Sequence, residues 1–268
     1  MKPKKEARRE PIVTPEKIEL NFSGANMYLH CGMQYKFRYV DKIKDPPKIV
    51  LIEGSSHHKA LEENNKLKKS KGRDLTANTM TDIFMGDFRS RVKDTHGRLD
   101  WEGEKENKIY ARAKILHKDY RQKIAPVIRP LGIEKPLEKT FKIGGDKLTY
   151  FGTTDLETKD FVYDYKTSRR SKSQEEVDGM LQLSLYSYAL SKVKVGVIQL
   201  VKAGTPYVGM ILSRRTKGQI LWALSVFRSA ALGIQAKRWH LADPSSWKCS
   251  PTYCGYWSIC RGKVEGRR

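Results

Sequence analysis

The chain has 268 residues, with 52 Lys and Arg against 30 Asp and Glu, a formal net charge of +22 and a pI near 9.8. Such an excess sets up a field that draws polyanions and makes their binding salt-dependent, while a hydrophobic fraction of 39% is adequate for a core. No run reaches the roughly 18–20 apolar residues of a membrane span, and the absence of a Walker-type phosphate loop argues against an ATP-driven helicase.

Residues 1–20 read as a flexible basic arm with little to bury. Its start, MKPKKEARREP, is highly charged and lacks the apolar h-region of a secretory signal, so a reducing cytoplasm is expected. Residues 24–40 predict a helix carrying Cys31 and an aromatic face with Tyr35 and Tyr39. The polar stretch 54–125 predicts several helices forming a lobe. Strands follow at about 133–143, 148–157 and 161–167, then a helix over 173–191, a β-rich run at 195–201 and a strand near 207–212. A long helix spans 217–238, where Ile220, Leu224, Phe227 and Ala231 recur at spacings of three and four, the mark of one buried stripe. This order gives an α/β fold, a mixed sheet flanked by helices. The expected organisation is one domain over 21–268, with the sheet core at 133–212 and a cysteine cluster at 247–262.

The chemistry-bearing segment is GTTDLETKDFVYDYKTS, residues 152–168. The midpoint of Asp155 and Asp164 falls between Lys159 and Asp160, in the most polar stretch. A tight turn there makes the two aspartates cross-strand partners, with Cβ atoms roughly 4.5–5.5 Å apart. Two carboxylates at that separation can share one hard divalent cation. Lys166, two residues beyond Asp164, projects from the same face, and its ammonium could orient a water or stabilise charge on a phosphorane. The plain alternative is that Asp-Tyr-Lys is solvated surface and Asp155 a turn or capping residue. Around the hairpin, Gly54-Ser-Ser-His-His places serines to cap a helix bearing a histidine, and Gln182 and Tyr186 lie four apart on one helical face.

At these residues the chain resembles the RecB-like and Cas4-like nucleases of the PD-(D/E)xK superfamily. The resemblance implies a restriction-endonuclease-like sheet and a metal-dependent DNA exonuclease. The family's G-x-x-x-H segment maps to Gly54 and His58, a metal ligand, although His57 is adjacent. Its G-x-x-D strand maps to Gly152 and Asp155, and its D-x-K to Asp164 and Lys166, the second ligand and the catalytic lysine. The main-chain carbonyl of Tyr165 would complete the shell around Mg²⁺ or Mn²⁺. Gln182 and Tyr186 match a Q-x-x-x-Y helix that positions the active-site strand and DNA. For the family's further acidic residue both Glu134 and Glu138 are available, and neither is assigned to the metal shell.

Four cysteines occur, Cys31 and the cluster Cys249, Cys254 and Cys260. In a reducing compartment clustered thiols favour a metal site over disulfides. The resemblance implies a [4Fe-4S] cluster on all four, and four thiolates are the usual complement. The first two C-terminal cysteines are here separated by four residues where the family commonly has two, and zinc is the alternative. Trp247, Tyr253, Tyr256 and Trp257 interleave with them and are expected to form a small hydrophobic lid.

The functional expectation is an exonuclease acting on single-stranded or linear DNA ends in recombination, repair or processing, with a recombination or helicase protein as possible partner. The compact form resembles phage or mobile-element members, which would act in the bacterial host cytoplasm. The alternatives are a structure-specific endonuclease of the same superfamily and a non-catalytic nucleic-acid-binding module with a zinc site.

Overall fold

The computed structural model describes residues 9–14 and 17–264. Its contacts divide the chain into two compact units, Pro46–Leu137 with Thr153–Ile220, and Met1–Asp45 with Glu138–Gly152 and Leu221–Arg268.

Seven strands form one mixed sheet: β1 (Ile12–Val13), β2 (Ile18–Asn21), β3 (Gly132–Ile143), β4 (Asp146–Glu157), β5 (Val162–Ser168), β6 (Lys194–Val201) and β7 (Tyr207–Arg214). The order is β1-β2-β4-β5-β6-β7, with β3 paired to β4. The chain enters β2–β4 and β5–β6 in parallel and closes β4–β5 and β6–β7 as antiparallel pairs. The result is a mixed α/β fold of the restriction-endonuclease-like kind.

In the unit holding residues 46–137 and 153–220, three helices form the expected lobe: α3 (Ile49–Lys71), α4 (Ala77–Lys93) and α5 (Glu106–Lys123). Their inward residues Leu61, Phe84, Phe88, Ile109 and Leu116 share one core with Leu156, Tyr163, Tyr165, Ile198 and Leu200 of the sheet. Strand β6 is buried along nearly its whole length, which explains why KVGVIQLV reads as a continuous apolar run rather than an alternating one.

Two expected helices are broken. The helix expected over 173–191 is α6 (Gln174–Asp178) and α7 (Leu181–Leu190). Ser173 and Glu176 form a reciprocal capping box. At the break around Gly179 and Met180, buried Arg215 donates to Val177 O at 2.7 Å and to Met180 O at 3.4 Å. The helix expected over 24–40 is α1 (Phe22–His30), α2 (Gly32–Tyr35) and a π-helical turn over Lys36–Val40. The interruption is Cys31, extended at φ −164° and ψ 109°. At the next residue, Gly32, the chain passes so close to His240 that an added Cβ would lie 2.8 Å from its backbone nitrogen.

The basic arm expected over 1–20 also needs correction. Residues 1–8, 15 and 16 lie outside the described residues, but 12–13 and 18–21 are strands, and Ile18 and Leu20 are buried. Charge composition hid a short β signal, the alternating Ile-Glu-Leu-Asn, whose Glu19 is satisfied by Arg9 at 2.6 Å and Lys17 at 2.8 Å. The long helix α8 (Lys217–Gln235) buries Leu224, Phe227 and Ala231 of the anticipated stripe. Phe227 packs edge-on against Tyr150.

Candidate metal-dependent active site

The hairpin forms with the expected register. Leu156 faces Tyr163 and Glu157 faces Val162, the register that sets Asp155 and Asp164 as the next residues beyond the ladder. The turn between is closed by Thr158 N–H to Phe161 O at 2.8 Å and by Phe161 N–H to Thr158 Oγ1 at 3.1 Å. Beyond Leu156 the Asp155 side chain takes over the role of the ladder, accepting from Tyr165 N–H at 2.6 Å through Oδ2. That bond fixes the carboxylate and leaves Oδ1 directed to His58, whose Nδ1 is 3.4 Å away.

Helix α3 separates the two adjacent histidines. His57 is fully buried and turned into the lobe, where its Nδ1 meets His117 Nε2 at 3.2 Å. His58 is half-exposed and faces the hairpin, edge-on to the Tyr165 ring at 5.6 Å. Burial opposes the His58 imidazolium, but Asp155, then Asp164 and Glu134, more than offset it and hold its pKa above the ordinary histidine range.

Asp164 is buried, and its Oδ2 has no hydrogen bond of proper geometry although the Lys166 ammonium lies 2.7 Å away. Burial pushes the Asp164 carboxyl up, Lys166 pulls against it, and Asp155 adds to the rise. Burial likewise opposes the Lys166 ammonium, and Asp164 overcomes it, so the lysine is raised and stays charged at neutral pH. Lys166 also donates to Gln182 Oε1 at 2.9 Å; Gln182 Nε2 donates to Tyr186 Oη at 2.9 Å, and Tyr186 donates to Thr153 O at 2.7 Å. The i, i+4 pair on α7 therefore ties the lysine to the backbone of β4 two residues before Asp155. The Tyr165 side chain points the other way, into the core, where Asn65 Nδ2 donates to its hydroxyl at 2.7 Å.

One residue left out of the expected metal shell is brought in. Ligand atoms of His58, Glu134 and Asp155 all lie within 4.8 Å of one another. Glu134 sits near the start of β3 with φ +46°, a left-handed backbone that costs roughly 1–2 kcal/mol for a residue with a side chain and that clusters at functional sites. Strand alternation cannot anticipate it, because the left-handed residue interrupts the alternation. Glu138, the other acidic candidate, pairs with Arg9 instead.

The donor set fits a hard divalent cation: carboxylate oxygens with one imidazole, and a buried Asp164 oxygen whose charge is only partly met. The cysteines Cys31, Cys249, Cys254 and Cys260 are free and partly buried. Burial pushes the Cys254 and Cys260 thiols up, and Cys31 and Cys249 add to the rise of each. Of the interleaved aromatics, Tyr256 and Trp257 are buried and Trp247 and Tyr253 are not. The lid is thus half of what was expected.

A nuclease of the restriction-endonuclease-like fold is the class to which this sheet points. The model of the PD-(D/E)XK nuclease superfamily matches residues 19–261, and the chain belongs to that superfamily. A Eubacterium rectale protein named "Putative exonuclease" has a similar structure, with a TM-score of 0.55 at 12% identity over 88% of this chain and 86% of that one. SSO0001 aligns with a TM-score of 0.33 at 19% identity over 48% of this chain and 59% of its own. Rai1 of Scheffersomyces stipitis, solved with (3'-NADP)+ and a calcium ion, aligns with a TM-score of 0.29 at 10% identity over 82% and 69%. No curated protein matches the chain in sequence. Among the described residues no helix is long and apolar enough to cross a membrane.

Proposed function

We propose that this nuclease is a metal-dependent exonuclease acting on the ends of linear DNA, with residues 21–268 working as one nuclease domain. The observation that carries the reading is the pairing of a buried, under-satisfied Asp164 with a charged Lys166, next to the group of His58, Glu134 and Asp155. These acidic residues and His58 would hold Mg²⁺ or Mn²⁺, with the Tyr165 carbonyl as a further oxygen donor. Such an ion, when bound, polarises a phosphoryl oxygen and makes a water more acidic. Lys166 orients the attacking water and neutralises charge that develops on the phosphate as the leaving P–O bond breaks. Gln182 and Tyr186 keep the ammonium in place, so Lys166 need not reorganise during the reaction.

The four-cysteine group would hold a [4Fe-4S] cluster as a structural clasp, with zinc as the other thiolate-compatible occupant. The reading extends to recombination, repair or processing of DNA, with a helicase or recombination protein delivering the strand, as in the RecB-like and Cas4-like nucleases. A phage or mobile-element origin belongs to the same resemblance.

The test is cleavage of end-labelled linear DNA with Mg²⁺ or Mn²⁺ by anaerobically purified protein, beside a closed circle. Parent protein degrades the linear substrate only, and Lys166→Ala retains DNA and metal binding but loses cleavage. Equal activity of the lysine variant overturns the mechanism, and cutting of the circle makes the enzyme an endonuclease. Cys254→Ala is expected to lower thermal stability and change the visible absorption of the purified protein. Identical spectra and stability would remove the shared cluster.

A further inference from the structure

The C-terminal segment carries a surface that the nuclease chemistry does not use. Trp247 is 64% exposed and Tyr253 53% exposed, in a region where most aromatic residues are buried or half-buried. The rings stand perpendicular, at 87°, with centroids 4.7 Å apart. Lys248 Nζ lies 5.5 Å from the centre of the Trp247 ring. An edge-to-face pair covers one ring face and the ammonium approaches another, which leaves at most two of the four ring faces open, consistent with the exposure of both side chains.

The backbone beneath holds the rings in place. Cys249 N–H donates to Ser246 O at 2.8 Å, Cys254 N–H to Ser250 O at 2.9 Å, and Ser250 Oγ to Trp247 O at 2.8 Å. Two large apolar rings thus sit ordered in water, and an occupant would meet a preorganised surface at little entropic cost.

Charge selects the occupant. From Asp243 to Val264 the sequence contains Lys248, Arg261 and Lys263 against one acidic residue, Asp243, whose carboxylate accepts from Ser245 N–H and Ser245 Oγ at 2.7 Å each; a second carboxylate, Asp45, lies against Gly255, and residues 22–40, which include the neighbouring His30, contain no acidic residue. The partners of Lys248 are His30 Nε2 at 2.8 Å and the Trp247 ring, and neither carries negative charge. An acidic or apolar peptide would use one feature of this surface. An unpaired nucleic-acid strand uses both, with bases stacking on open aromatic faces and phosphates taking the cations.

We propose that Trp247 and Tyr253 form a stacking platform for unpaired bases, with Lys248 meeting the adjoining phosphate, so that the C-terminal segment grips single-stranded nucleic acid outside the active site. The proposal rests on the nucleic-acid reading of the nuclease and adds to it a single-strand contact.

Fluorescence anisotropy of labelled oligo(dT) and of an abasic oligomer of equal length tests it, with full-length protein in EDTA so that no strand is consumed. Stacking is worth about 1–3 kcal/mol per base, so Trp247→Ala is expected to weaken oligo(dT) binding at least about fivefold, to leave the abasic oligomer unchanged, and to be rescued by Trp247→Phe. Trp222→Ala, which removes a comparably exposed tryptophan from α8, is expected to alter neither. Unchanged oligo(dT) affinity in Trp247→Ala overturns the platform and makes the patch a protein-docking surface, while Lys166-dependent cleavage still stands on its own assay. Equal loss on both oligomers also overturns it, since stacking needs bases. Parent protein that binds neither oligomer overturns the platform together with its nucleic-acid premise.

Discussion

Replacing Glu53 by Gln isolates the charge cluster that anchors the histidine-bearing helix. Glu53 lies on α3, five residues before His58, and is fully buried. Its Oε1 accepts from Arg112 Nε at 2.9 Å, and its Oε2 from Lys202 Nζ at 2.6 Å. Its third neighbour is His57 Nε2, at 3.9 Å, too far for a hydrogen bond. The histidine tautomers follow from the chain of contacts. Thr81 donates to Ala77 O at 2.9 Å and so accepts from His117 Nδ1–H at 3.0 Å. His117 Nε2 must then accept from His57 Nδ1–H, and neutral His57 turns a bare Nε2 toward the carboxylate. Burial holds His57 below the ordinary histidine range, so at neutral pH the lasting partners of Glu53 are Arg112 and Lys202.

Burial alone would raise the Glu53 carboxyl; protonated His57 and Lys202 reverse this and hold it down at about 2, from an ordinary 4.5, so that with His57 neutral this depression is the upper limit. At 1.36 kcal/mol per pH unit this depression corresponds to about 3 kcal/mol, similar to the roughly 3–5 kcal/mol lost when one partner of a buried ion pair is removed. The folded pKa is depressed, so the contribution is complete above the unfolded value of about 4.5 and is lost as pH falls toward about 2. Urea unfolding of parent and Glu53→Gln is therefore expected to show a gap of about 3 kcal/mol at neutral pH that narrows steadily below about pH 4.5. A gap under about 1 kcal/mol at neutral pH, or one that stays constant through the acid range, would refute the assignment of the cluster as an anchoring charge network.

Two further substitutions separate ligand chemistry from scaffold. Glu134→Gly relieves a left-handed backbone and removes a carboxylate, so thermal stability is expected to hold or rise by up to about 1 kcal/mol while Mn²⁺ affinity by calorimetry falls; a parallel fall in both places Glu134 in the scaffold and not at the metal. Tyr165→Phe strands the buried Asn65 amide and is expected to cost about 1–3 kcal/mol in denaturant unfolding, yet to retain cleavage, because the hydroxyl it removes is turned into the core while the ring against His58 and the backbone at the site are kept. Loss of cleavage in a folded Tyr165→Phe protein would give the side chain a part in the chemistry.

The hairpin was legible in the sequence because β pairing is local and has a strict period. Once a turn is placed between Lys159 and Asp160, Asp155 and Asp164 must oppose each other and Lys166 must share the Asp164 face. The helical link from Gln182 to Tyr186 follows the same logic with a period of 3.6. Adjacent residues on a helix point about 100° apart, so sequence could state that only one of His57 and His58 faces the hairpin; the packing of α3 against α4 and α5 decided that His57 is the buried one. Glu134 and Glu138 are four apart in a strand and equivalent by alternation. Only the left-handed backbone at Glu134 and the Arg9 pairing of Glu138 distinguish them, and both depend on what the rest of the chain brings alongside. Likewise the spacing of the cysteines was visible as a pattern, but that Cys31 adds to the rise of the Cys254 and Cys260 thiols, more than two hundred residues away, is decided by the tertiary fold. Local periodicity fixes which side chains share a face, whereas which face meets which depends on burial and charge pairing summed over the whole fold.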